Sequence, residues 1–446
     1  MRKRYFAATA VGVALTTLMG PYILLNKVPE LQSLKKTWFP SFSLQEQYKS
    51  PIAAEERNID PIQKAELPNK RTELEQIIAE LFITRSNNTG EYTPGGVLLR
   101  KGETRKGHLF GEFSSYDPRR TQRSVEKILS RAEKEEQRVL IYDEGEGGYV
   151  LRTGVMPPAQ EIGDYLTEGI VGPNIGQIIT PNESKKERAN QIGTLFNSYA
   201  KELSDRGIDS VFGPVLDVAS KDSEGNLINE MQRNFSDRHL VTREIAKTYI
   251  TAMHNHGIRV VGKHFLTAGL TEEGDIHDET VANTDTIRPK LWAGQTYRLL
   301  REDLDAIMVT HVGNPCGEDK GRPYSISPRA IEYLTRERYN NNQFRGINFQ
   351  GLVIVDDISM QGLISYVQEG KLTEKELNLI SDTENLEAKA AILALNAGAH
   401  VLIANEADTD EVIEAVADVA RRDNNFLQKV INAERKYEAY IEQWAK

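Results

Sequence analysis

From about Arg71 onward, apolar positions alternate between a helical period and short continuous runs. Ala189, Ile192, Phe196, Tyr199 and Leu203 are spaced by three and four, which puts them on one helical face. Gly207 follows as the expected C-terminal stop, and Ile208 to Gly213 has strand length. The next unit repeats the pattern. Val241, Ile245, Tyr249 and Met253 share a face, Gly257 ends the helix, and Ile258 to Gly262 reads as a strand. Leu300 precedes a third run, Leu304 to Val309. Further strands are expected at Gly95 to Leu99, Arg138 to Tyr142, Gly351 to Val355 and His400 to Ala404. A helix over Glu387 to Leu395 leads into the last of them. Helix alternating with strand implies a parallel sheet with crossover helices. About eight such strands fit between Arg71 and Lys446, so the expected fold class is α/β, a (β/α)8 TIM-like barrel. The alternative is an open doubly wound sheet. No G-x-G-x-x-G or P-loop follows the first strand, which weakens a nucleotide-binding version of it.

Ahead of the body the pattern changes. Arg2, Lys3 and Arg4 precede a run from Tyr5 to Leu25 that contains no charged residue. As a helix this run spans roughly 30 Å, the thickness of a bilayer core. Residues 1–27 are therefore expected to be a signal anchor or a cleaved signal peptide, with a buried apolar helix as the third reading. The basic flank keeps the cytoplasmic side, so the rest of the chain is expected outside the cytoplasm, periplasmic or extracellular. It is secreted if the segment is cleaved. Residues 28–70 are polar, mixed in charge and punctuated by Pro29, Pro40, Pro51, Pro61 and Pro68, which reads as a tether. The barrel is assigned to residues 71–446.

Composition narrows the function classes. The net charge of −10 argues against a nucleic-acid partner, which needs a basic face. Cys316 is the single cysteine, so neither an intramolecular disulfide nor a cysteine zinc site is available. No H-E-x-x-H and no G-x-S-x-G occurs, which leaves no metal signature and no nucleophile elbow. No metal and no cofactor is expected. His254 and His256 fall at a helix C-terminus, where contact with the last carbonyls is expected.

Chemistry in a parallel sheet collects at the C-terminal strand ends. There the sequence places Asp143 and Glu144, Asp217, Lys263 and His264, His311, Asp356 and Asp357, and Asn405. Carboxylates, imidazoles and basic residues at one rim are suited to sugar chemistry, in which one group protonates a leaving oxygen and a carboxylate attacks the anomeric carbon.

These blocks resemble glycoside hydrolase family 3. Leu352 to Met360, with Asp356 and Asp357 at its centre, is similar to that family's nucleophile motif. Gly262-Lys263-His264-Phe265 is similar to its K-H-F segment, Phe212 to Val218 to its "APVLDV" block, and Arg233-Asn234-Phe235 to its R-S-F. Asp305 to His311 resembles its D-A-I-M-x-x-H strand, and Glu146-Gly147-Gly148 with Arg152 its E-G-G-x-V-x-R block. The residues after Asp357 are needed to finish the barrel, so the likeness is to the single-domain β-N-acetylglucosaminidase branch.

The resemblance implies a retaining glycosidase acting on terminal β-linked N-acetylglucosamine, with cell-wall glycan fragments as the expected carbohydrate partner. It assigns Asp356 as nucleophile and an Asp-x-His pair, Asp275 and His277, as acid/base. Lys263, His264, Arg233, Arg152 and His311 are implied to hold the sugar, together with Glu144 or Asp143. Two departures stand out. Leu266-Thr267-Ala268-Gly269 replaces the P-G-H-G that usually follows K-H-F, and Glu144 stands where the family has aspartate. The competing readings are a β-glucosidase, a glycoside phosphorylase, and a membrane-tethered, non-catalytic glycan-binding protein. Asp357 is expected to cap the following helix, and Asp217 to organise the loop after its strand.

Overall fold

The computed structural model describes residues 71–85, 92–99, 117–151, 153–182, 184–219, 226–266, 294–313, 321–339, 344–405 and 407–443. Residues 1–70, with the expected anchor and tether, lie outside these. Among the described residues no helix is long and apolar enough to cross a membrane.

The expected barrel is present. Its strands are β1 (Phe82–Arg85), β2 (Gly96–Leu98), β3 (Leu140–Asp143), β4 (Ser210–Val211), β5 (Arg259–Phe265), β6 (Ala306–Val309), β7 (Leu352–Asp357) and β8 (Val401–Ala404). All neighbours pair in parallel and in sequence order, and β8 closes onto β1. The open doubly wound sheet is thereby excluded.

Local sequence accounts for the intervening helices. Ile192, Phe196, Tyr199 and Leu203 are buried on helix Lys185–Asp205, and Gly207 beyond its end has φ of +75°. Ile245, Tyr249 and Met253 are buried on helix His239–Asn255. Asn385 accepts a hydrogen bond from the Ala388 amide at the start of helix Leu386–Ala397, which ends at Gly398 in the left-handed region.

Three features depart from the sequence expectation. β1 is a strand that the pattern does not separate from the helix before it, because only Glu80 and Leu81 stand between Arg71–Ala79 and Phe82. An antiparallel pair, Arg338–Tyr339 with Phe344–Arg345, lies outside the barrel. β5 runs on to Phe265, so Lys263 and His264 belong to the strand itself and not to the turn after it.

The barrel interior is packed. Tyr142 stacks on Phe212 with ring centroids 5.1 Å apart. At the N-terminal end of the strands, helix Asn424–Glu442 contributes Tyr437 and Tyr440, both buried. Tyr437 donates to the Gly95 carbonyl at 2.5 Å, and Tyr440 lies 3.3 Å from the Ser210 hydroxyl. The opposite end carries the ionisable residues. Phe265, Val309, Val355 and Leu402 lie in one register row there, and Asp356 follows directly.

Candidate active site

The turn after β3 starts the site. Asp143 ends the strand fully buried, and its two carboxylate oxygens accept from the backbone amides of Glu144 (2.8 Å) and Thr153 (3.1 Å). That carboxylate shapes the turn. Gly147 then has φ of +87°, and a Cβ there would sit 2.3 Å from the Pro157 carbonyl oxygen. Only glycine fits both conditions, which is the physical reason for the first glycine of the E-G-G block.

Glu146 is thereby turned into the barrel mouth, where its side chain is fully buried. Arg233 grips it in fork geometry, Nε to Oε2 at 2.6 Å and Nη2 to Oε1 at 2.7 Å. Lys263 Nζ lies 2.5 Å from Glu146 Oε1 and 2.9 Å from Glu144 Oε2. Burial pushes the Glu146 carboxyl up, but Arg233 and Lys263 outweigh it and hold the group well below the usual carboxylate range. Burial likewise disfavours the Lys263 ammonium, and Glu144 and Glu146 reverse that, so its pKa is raised. The cluster is a buried, mutually charged set.

His264 extends the set. Its Nε2 lies 3.3 Å from Arg233 Nη2 and its Nδ1 2.6 Å from Asp217 Oδ2. A guanidinium only donates, so Nε2 accepts and Nδ1–H donates to Asp217. Asp217 also accepts from the His264 backbone amide at 3.1 Å. It therefore organises the neighbouring strand β5. Sequence reasoning placed Asp217 at the rim as a loop organiser and gave Glu146 no role in the site. The signal for Glu146 was present in the E-G-G block.

Across the mouth, β7 delivers Asp356, partly exposed, and Asp357, buried. The Asp357 amide donates to Asp356 Oδ1 at 2.9 Å. Asp357 Oδ1 accepts from Ser359 N (3.1 Å), Ser359 Oγ (2.6 Å) and Asn405 N (3.3 Å). The expected helix cap is therefore corrected. Asp357 ties the β7 and β8 ends together, and helix Gln361–Gln368 starts after Met360 with no side-chain cap.

Several sequence-assigned residues meet here and others do not. Lys263, His264, Arg233 and Glu144 form one connected network. Of the pair Glu144 and Asp143, Glu144 faces Lys263 with 16% of its side chain exposed, whereas Asp143 is committed to backbone amides. His311 is fully buried, with Nδ1 2.8 Å from Ser325 Oγ and Nε2 2.8 Å from the Asp357 carbonyl oxygen. Both ring nitrogens are engaged by protein, so the implied sugar contact at His311 is replaced by a contact to β7. Arg152, Asp275 and His277 lie outside the described residues. His254 takes a carboxylate partner at that helix end. Its Nε2 pairs with Asp305 Oδ2 at 2.8 Å, because Asp305 sits at the start of β6 beside that helix end. Among the described residues no group of three or more His, Cys, Asp or Glu is arranged to hold a metal.

The family model described as "Glycosyl hydrolase family 3 N terminal domain" matches residues 69–436. A Beta-hexosaminidase of Idiomarina loihiensis is 30% identical over 183 residues, covering 41% of this chain and 50% of the relative. A Beta-hexosaminidase of Methylococcus capsulatus is 32% identical over 165 residues, covering 36% and 45% respectively. The chain thus spans about half the length of the curated relatives it matches. Among solved structures, the Beta-N-acetylhexosaminidase of Beutenbergia cavernae superposes with a TM-score of 0.61 at 19% identity, covering 82% of this chain and 97% of that one. This last likeness bears on the fold alone.

Proposed function

Since the chain belongs to the glycosyl hydrolase family 3 N-terminal domain family, we propose that it is a retaining glycosidase releasing terminal β-linked N-acetylglucosamine. The observation that carries this reading is the barrel mouth itself. A carboxylate, Asp356, stands at the end of β7, and a buried network of Glu144, Glu146, Lys263, Arg233 and His264 lies at the same rim. Asp356 attacks the anomeric carbon and becomes a glycosyl ester. Lys263 and Glu144 hold sugar hydroxyls, because an ammonium has three N–H donors and its two carboxylate contacts use two of them. Glu146 fixes both cations in place. His277, oriented by Asp275, donates a proton to the leaving oxygen and then takes one from water. The printed names of the curated relatives favour a hexosaminide over a glucoside.

In this reading the uncharged run Tyr5–Leu25 anchors the enzyme in a membrane, with the barrel outside the cytoplasm and cell-wall glycan fragments as substrate. The test is turnover of a panel of aryl β-glycosides by the full chain, with and without phosphate. Release of aryl alcohol from the N-acetylglucosaminide, independent of phosphate, is the expected result. Preference for the glucoside, or a requirement for phosphate, replaces the substrate or the acceptor. Binding with no turnover of any glycoside overturns the enzymatic reading.

A further inference from the structure

His311 sits two residues past β6, between the strands that carry Lys263 and Asp356. Register places Val309 beside Val355, so the ring lies level with the end of β7. It is completely buried. A peptide carbonyl only accepts, so the nitrogen 2.8 Å from the Asp357 oxygen carries the proton. Nδ1 is then an acceptor for the Ser325 hydroxyl at 2.8 Å. Burial also pushes the imidazole pKa down against the pull of Asp356 and Asp357, in keeping with a neutral ring.

Ser325 is itself fixed. It lies in the short 3-10 turn Tyr324–Ile326, whose amides bond back to the stretch carrying His311: Tyr324 N to Val312 O at 3.0 Å and Ser325 N to Thr310 O at 3.1 Å. Arg322 Nε donates to the Ile326 carbonyl at 2.9 Å, and Arg322 forms a buried ion pair with Glu376. Glu376 in turn closes a capping box with Thr373. A line of satisfied, buried polar contacts therefore runs from helix Glu374–Leu379 through Arg322, the turn, Ser325 and His311 to the Asp357 carbonyl. On the other side of that residue, the Asp357 amide holds Asp356 Oδ1.

We propose that His311 and Ser325 are positioning residues for the nucleophile: the Nε2–H tautomer of His311, set by the Ser325 hydroxyl, holds the Asp357 carbonyl and so fixes the backbone of that residue, whose amide aims the Asp356 carboxylate. This rests on the glycosidase reading above and deepens it. Neither residue touches the sugar. The contact acts on attack geometry, where a misplacement of about 1 Å costs about 100-fold in rate.

The experiment compares His311→Asn, His311→Gln and Ser325→Ala in the full chain, with folding checked by circular dichroism. Glutamine carries its amide N–H near the place of Nε2, whereas asparagine reaches only the place of Nδ1. His311→Asn should lose about 100-fold in kcat with KM kept within about twofold. A mechanism-based fluorosugar should label Asp356 more slowly by the same factor. His311→Gln should recover to within about tenfold of the wild type, and Ser325→Ala should lose about tenfold, since it frees the tautomer without removing the ring.

Wild-type kcat in a folded His311→Asn protein overturns the proposal. So does a raised KM at full kcat, which would make His311 a sugar contact. A folded His311→Gln as slow as His311→Asn also overturns it, since ring packing alone would then explain the loss. If His311→Asn does not fold, Ser325→Ala decides, and wild-type kcat in it is the overturning result. Absence of turnover by the wild type itself removes the glycosidase reading, and this inference falls with it.

Discussion

Strand β5 carries a buried cation at each end of the barrel, and the two ends treat it differently. Arg259 and Lys263 are four residues apart and so project from the same face of the strand. At the C-terminal end, Lys263 meets two full carboxylates, Glu144 and Glu146, and stands 5.8 Å from the Phe212 ring centroid. At the N-terminal end, Arg259 lies over the Tyr440 ring at 5.2 Å and donates to the Ile441 carbonyl at 3.2 Å. One end pairs its cation directly with two carboxylates at a mouth, and the other seals its cation beneath a helix, against an aromatic face and a backbone carbonyl and near the Asp209 carboxylate. Charges kept in pairs at a mouth retain donors and acceptors for a ligand. A sealed cation of the second kind serves packing through its apolar stem as much as through its charge.

The largest effect should come from Asp356→Ala. Removing a covalent nucleophile typically costs about 10⁴-fold or more in kcat. Because Asp356 is partly exposed at the rim, the midpoint of thermal unfolding should stay close to wild type. A fluorosugar should label Asp356 and leave Asp357, whose carboxylate is committed to Ser359 and Asn405. Labelling of Asp357 would break the assignment of roles along β7.

Glu146→Gln comes next, and it should strike activity and stability together. The substitution keeps shape but leaves Arg233 without its fork partner and Lys263 with Glu144 alone. Breaking a buried pair by neutralising one member costs about 3–5 kcal/mol. Urea unfolding measures that loss, and kcat/KM should fall in the same protein. Loss of activity with stability intact would make Glu146 a ligand contact and not the anchor of the cations.

The two ends also differed in how far the sequence disclosed them. Lys263, His264 and Asp356 sit in compact blocks at strand ends, so local order suffices to place them at the rim, whereas Arg233, between two helices, comes only with the family resemblance. Glu146 lies in such a block without a local mark of its role, because its burial comes with a contact to Arg233, distant in sequence. His311 was placed at the rim but given the wrong neighbour, since Ser325 lies on a turn that no periodicity marks. At the other end almost nothing was legible. Tyr437 and Tyr440 share a helical face, but their partners Gly95 and Ser210 come from strands far away in the chain. The barrel class followed from alternation alone, while β1, four residues pressed against a helix, carried no pattern of its own.

A smaller, pH-dependent effect should belong to the sealed end. His400 precedes β8, and its Nδ1 accepts from the Val353 amide at 3.0 Å while its own amide donates to the Val353 carbonyl. Burial, with Lys436 nearby, pulls its pKa down to about 3. The unfolded chain takes up this proton near pH 6.5 and the native state does not, so stability from this group is present above that pH and is lost as pH falls toward 3. Each pH unit is worth at most about 1.4 kcal/mol, and the partly exposed ring reduces this, so about 2 kcal/mol should go by pH 4. Glu434 opposes it. Burial and Glu438 raise its pKa to about 7, so the native state gains stability as pH falls from 7 toward 4.5. The difference in unfolding free energy between His400→Gln and wild type isolates the histidine. It should shift in favour of the variant steadily below pH 6.5, and a flat difference would show that the ring titrates freely.

The smallest effect sharpens the comparison most. Arg259→Met replaces the sealed cation with an apolar chain of similar length. The Tyr440 ring keeps a neighbour, since a thioether also packs favourably on an aromatic face. The Ile441 carbonyl loses one donor, and Asp209 loses the cation that pulls its pKa down, although the Ile141 amide still binds its carboxylate at 2.8 Å. The loss is that of one hydrogen bond and one nearby charge rather than a direct ion pair, so unfolding free energy should fall by about 1 kcal/mol. kcat/KM should remain within about twofold, because β5 stays paired to both neighbours and the rim is untouched. Lys263→Met, the same change four residues along the same strand, should abolish turnover. If Arg259→Met instead loses several kcal/mol, the sealed end depends on its charge as the open end does, and the division of β5 into a reactive and a structural half is wrong.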